Sequence, residues 1–61
     1  MYEVNSRVQI INHSEPQCNG AYGTVASIQV GYDGRTKFYN VQLDDAPEMY
    51  YLCIDDELME E

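Results

Sequence analysis

Along most of the chain, apolar and polar residues alternate with a period of two, the mark of strands with one buried face. Arg7-Val8-Gln9-Ile10-Ile11 places Val8 and Ile10 together. Asn12 to Gly20 is then dense in turn formers (Asn12, Ser14, Pro16, Asn19, Gly20) and predicts an irregular loop, longer than a hairpin needs. Tyr22 to Val30 predicts a second strand in which Val25 and Ile28 fall out of step. A bulge at Ala26-Ser27 would return both to the core and bend the strand, as barrel closure requires. Asp33-Gly34 then marks a hairpin. Lys37 to Leu43 follows as a third strand, with Tyr39, Val41 and Leu43 on one face and Phe38, Asn40 and Gln42 on the other.

Asp44-Asp45-Ala46-Pro47 is the next turn, because Pro47 bars a central strand from continuing. Glu48 to Ile54 predicts a fourth strand, Asp55-Asp56-Glu57-Leu58 a single tight helical turn capped by Asp55, and Leu58 with Met59 a short fifth strand. Nothing supports a longer helix, since Pro and Gly punctuate strand runs rich in β-branched and aromatic residues. The expectation is all-β: a single five-stranded SH3-like barrel over residues 1–61, with a long first loop, one helical turn before the last strand and no linker. At this length the core is marginal, with only about 60% of the unfolded surface buried.

The order of features resembles known small barrels. The turn at Gly20 leading to Gly23-Thr24-Val25 is similar to the Gly-x-Val core of KOW domains. A closer resemblance is to the photosystem I subunit IV family and the variable chain of ferredoxin–thioredoxin reductase. It is carried by Arg7-Val8-Gln9-Ile10, Gly23-Thr24-Val25-Ala26-Ser27-Ile28, Tyr39-Asn40-Val41-Gln42-Leu43 and Asp56-Glu57-Leu58. The resemblance spans roughly residues 6–60 and implies the fold, with the role of an accessory subunit. Subunit IV proteins dock acidic ferredoxin through basic residues that this chain does not offer, and its loop before Glu57 is shorter than theirs. The electron-transport role is therefore not carried over.

Charge changes the picture. The net charge is −8, and the three bases (Arg7, Arg35, Lys37) lie before residue 44 with only three acids. Asp44, Asp45, Glu48, Asp55, Asp56, Glu57, Glu60 and Glu61 follow with no base among them. Too few Lys and Arg are present to displace counterions from a phosphate backbone or to dock on anionic lipid. Direct nucleic-acid binding, including the RNA binding common among KOW domains, is not expected. No stretch approaches the roughly 18 apolar residues of a membrane span, and Met1-Tyr2-Glu3-Val4-Asn5 lacks the order of a secretory signal. A cytoplasmic protein is expected.

Catalysis is not expected either. His13 is the only histidine, and a Cys18–His13–Asp arrangement in one flexible loop lacks the rigid frame that a nucleophile and oxyanion hole need. His13 reads as a solvated loop residue. Gly20-Ala21-Tyr22-Gly23 has neither the spacing nor the helix of a phosphate cradle. The acids at 44–48 and 55–57 match no EF-hand loop, and two cysteines are too few for a zinc site, so no cofactor is expected. A Cys18–Cys53 disulfide would stabilise so small a domain. With nothing marking an oxidising compartment, Cys53 reads instead as a small core residue and Cys18 as a loop thiol.

Six tyrosines without a tryptophan exceed what this core can hide. One of each neighbouring pair, Phe38/Tyr39 and Tyr50/Tyr51, must face outward, while Tyr22 and Tyr32 flank the second strand. Such tyrosines either cover the barrel or form an amphipathic contact surface. The acidic run is either a solubilising face or a patch complementary to a basic protein, with fast, salt-sensitive association. Together they suggest a binding face: Asp44, Asp45 and Glu48 at one turn, Asp55, Asp56 and Glu57 at another, Glu60 and Glu61 at the tail, and Tyr50 and Tyr51 between. The implied partner is a protein with a basic surface, of the kind that handles nucleic acid.

Overall fold

In the computed structural model, which describes residues 2–61, the alternation resolves into five strands: β1 (Arg7–Ile10), β2 (Tyr22–Val30), β3 (Lys37–Leu43), β4 (Tyr50–Cys53) and β5 (Leu58–Glu60). Two 3₁₀ turns, Pro16–Cys18 and Asp55–Glu57, interrupt the connections. The strands form one antiparallel sheet in the order β4-β3-β2-β1-β5. All five contribute to a single buried cluster: Val8 and Ile10 from β1, Val25 from β2, Tyr39 and Val41 from β3, Cys53 from β4 and Leu58 from β5, joined by Cys18. A flat sheet could not bring its two outermost strands to one core, so this sheet curls around it.

The bulge expected in β2 is present. Val25 pairs with Val41 and Ser27 with Asn40, so Ala26 is the extra residue. Val25 is fully buried, and Ile28 packs partly buried against the same core. Gly23 is required by close approach: a Cβ there would stand 2.5 Å from the Gln42 carbonyl oxygen and 2.7 Å from Val41 Cγ1. The β2–β3 hairpin closes through a longer loop than a two-residue turn. The Gly31 N–H donates to the Thr36 carbonyl at 2.7 Å, and Gly34 adopts a positive φ of 71°. Asp33 organises the loop by accepting from the backbone of Arg35 and Thr36 and from the Thr36 hydroxyl. Those bonds, the Thr36 hydroxyl foremost, hold its carboxyl down at about 2.

The edge strands β4 and β5 do not pair with each other. Side chains cover them instead. His13 reaches from the first loop to β4, its Nε2 lying 3.1 Å from the Leu52 carbonyl oxygen. On the other side the Tyr2 hydroxyl donates to the Leu58 carbonyl of β5 at 3.2 Å. Tyr2 also sits edge-on to the buried Tyr39, ring centres 5.5 Å apart. An outward carbonyl on each edge is thereby occupied, which limits the templating that open edges invite.

Four expectations need correction. The fourth strand begins at Tyr50 rather than Glu48, because Pro47 and the Met49 N–H to Ala46 carbonyl bond extend the turn. Asp55 does not cap the helical turn; Glu57 reaches back to accept the Ile54 N–H at 2.9 Å. Cys18 is a core residue, because its 3₁₀ turn folds the loop inward. His13 is half-buried and engaged at both ring nitrogens, not solvated.

Candidate functional site

The acidic run is divided by β4, which carries one acidic turn at each of its ends. Asp44, Asp45 and Glu48 lie at the β3–β4 turn, and Asp55 and Asp56 in the 3₁₀ turn beyond β4. All five are exposed. Glu57 is half-buried and occupied with the Ile54 N–H. Glu60 and Glu61 close the chain beside β1, where Glu60 pairs with Val8.

Folding also sets the bases of the first part of the chain against these acids. The Arg7 guanidinium binds Asp44 through both carboxylate oxygens and reaches Glu61 at 3.1 Å. This contact, through its hydrogen bonds first, holds the Asp44 carboxyl below its usual range and raises the Arg7 guanidinium above its own. Arg35 and Lys37 line a small groove together with Asp55 and Asp56. The buried Tyr39 hydroxyl accepts the Tyr2 N–H at 3.4 Å, and burial pushes its pKa up, with the nearby Asp55 carboxylate adding to the rise against that hydrogen bond. Asp45, Glu48, Asp56 and Glu60 are all exposed.

The register sorts the aromatic residues. Tyr51 lies opposite the buried Val41, so it faces inward, packs partly buried on the core and meets the His13 ring edge-on at 5.6 Å. Tyr50 and Leu52 face outward and are 55% and 46% exposed. Tyr39 is buried, and Phe38 lies on the outer face opposite Gln29. Phe38, Val30, Tyr32 and Leu52 line an open groove of about 690 Å³ between the β2–β3 hairpin and β4. Tyr32 is fully exposed at its rim. Of the two tyrosines expected at a contact face, Tyr50 is exposed and Tyr51 is turned inward, while Leu52 stands exposed beside Tyr50. Cys53 carries the signal for this in the sequence: once it is a core residue, alternation turns Tyr51 inward and Leu52 outward.

A second cluster lies where the first loop meets the end of β4. A ring nitrogen of His13, the Cys53 sulfur and a Glu57 carboxylate oxygen lie within 4.8 Å of one another. The His13 Nδ1 accepts the Glu15 N–H at 3.0 Å, which places the ring proton on Nε2, facing the Leu52 carbonyl. Burial, reinforced by Glu57 and Cys18, pushes the Cys53 thiol up to about 12, and burial also raises Cys18. Both thiols are free. Sequence spacing gave no sign of this cluster, because its members come from three separated segments.

No family model, curated protein or solved structure matches the chain. Among the described residues, no helix is long and apolar enough to cross a membrane.

Proposed function

We propose that the chain is a non-enzymatic protein-binding module, a small inhibitor or adaptor that occupies a basic surface of its partner. One observation carries this reading: Tyr50 and Leu52, exposed on the outer face of the sheet beside the half-buried Phe38, lie between two acidic turns. Such a face combines desolvated contact area with a charged rim. Asp45 and Glu48 at one end and Asp56 at the other would meet Lys and Arg of the partner, and a net charge of −8 would accelerate encounter. Basic grooves of this description are commonest on nucleic-acid-handling proteins, so occlusion would take the form of nucleic-acid mimicry. The test is affinity capture from host extract, eluted with a salt gradient. The reading requires basic proteins that leave as salt rises; capture insensitive to salt contradicts it.

The apolar groove favours a second reading, a structural accessory subunit of a larger complex, in keeping with the resemblance to the photosystem and reductase barrels. Its contact would centre on Val30, Phe38 and Leu52, not on the acids. Substituting Leu52→Ser would then abolish capture, while neutralising the acidic turns would leave it intact.

A further inference from the structure

We propose that His13, Cys53 and Glu57 form a zinc(II) site that staples the first loop to the β4–β5 corner. The three donor atoms already converge within 4.8 Å, so modest rotamer shifts would bring them to tetrahedral spacing. A thiolate, an imidazole and a carboxylate together suit a borderline-soft tetrahedral ion, whereas calcium or magnesium would require oxygen ligands alone. Cys53 is buried while His13 and Glu57 are half-buried, so the ion would sit at the rim of the core with a path from solvent.

One supporting hydrogen bond is already in place. Metal-bound imidazoles usually donate their remaining N–H to a carbonyl or carboxylate, and the Nε2–H of His13 already faces the Leu52 carbonyl. That leaves Nδ1 as the ligand, released from the Glu15 N–H by a shift in the exposed 14–15 turn. Glu57 can ligate through one oxygen while the other keeps the Ile54 N–H. On binding, the Cys53 thiol proton passes to solvent and a sulfur–zinc bond forms. Water would complete the four-coordinate set. A metal here closes what the backbone leaves open, tying the loop that covers β4 to the turn leading into β5. Small domains with marginal cores commonly use such a staple.

The test is titration of the reduced, metal-free protein with cobalt(II), followed by displacement with zinc. The expected result is a thiolate-to-cobalt charge-transfer band with intense visible bands, saturating at one equivalent and lost when zinc is added. Zinc at 100 times its Kd should raise the Tm by roughly 10–20 °C. Cys53→Ala should abolish the charge-transfer band, and His13→Asn and Glu57→Gln should weaken binding by about tenfold or more. Glu57→Gln retains an acceptor for the Ile54 N–H, which keeps the test meaningful should Cys53→Ala fail to fold. Asp45→Asn and Asp56→Asn should leave the titration unchanged. Cobalt bound without a thiolate band, no stoichiometric uptake, or equal binding by His13→Asn and Glu57→Gln would each overturn the proposal. None of these outcomes depends on the binding face of the outer sheet.

Discussion

Replacing Gly23 by alanine tests the tightest contact in the sheet. The new methyl would lie 2.5 Å from the Gln42 carbonyl oxygen and 2.7 Å from Val41 Cγ1, both on β3. The oxygen belongs to backbone in the β2–β3 ladder and cannot withdraw without straining it, and Val41 is fully buried. Overpacking of this kind typically costs about 1–3 kcal/mol. Alanine also stiffens the unfolded chain, which returns about 0.4–1 kcal/mol. The net expectation is a loss of about 1–2 kcal/mol. In a domain of this size each kcal/mol moves the Tm by roughly 4–8 °C, so a fall of about 5–15 °C is expected. Gly20→Ala is the companion variant. Its Cβ meets nothing within 4 Å, yet its φ of +91° is strained for any L side chain, so its loss is conformational and not steric. Thermal melts followed by circular dichroism measure both. A Gly23→Ala protein that melts at or above the parent temperature would refute the close approach of β2 and β3.

Three further outcomes follow from the charges and thiols. Arg7→Met should lower the Tm modestly and make it more salt-dependent, because Asp44 and Glu61 lose the guanidinium between them; the half-exposed setting keeps the effect small. Asp33 titrates at about 2 in the fold, below the ordinary carboxylate value, so its contribution is complete above about pH 4 and lost as pH falls toward 2. Asp33→Asn should flatten that part of an acid-denaturation profile. Cys53 is shifted the opposite way, to about 12, so stability held below the ordinary thiol value should decline as pH rises from about 9 toward 12, and thiol reagents should react with the native protein far more slowly than with the unfolded chain.

The strands were legible because their signals are local. Period-two alternation located β1, β2 and β3, and the mismatch between Val25 and Ile28 located the bulge. Local signals failed where a long-range contact decides. Cys18 and His13 sit among turn formers, and only the fold shows that the loop turns back onto β4. The Asp55 cap was a reasonable local reading, overridden because Glu57 reaches the Ile54 N–H. The charge division was plain in the sequence, but its meaning was not. Arg7 meets Asp44 and Glu61 only because β1 lies between β2 and β5 and places them at one end of the sheet. Alternation allows only one of Tyr50 and Tyr51 on the outer face, and placing Cys53 in the core selects Tyr50.

The proposed binding of a basic protein to the acid-flanked outer face can be tested directly. The most direct measurement compares capture from host extract by three proteins: the parent, a variant carrying Asp45→Asn, Glu48→Gln, Asp56→Asn and Glu60→Gln, and Leu52→Ser, each shown to be folded. The parent should retain basic proteins that elute with rising salt. The neutralised variant should lose them, and Leu52→Ser should hold them more weakly. Equal retention by parent and neutralised variant, or retention that persists at high salt, would contradict it.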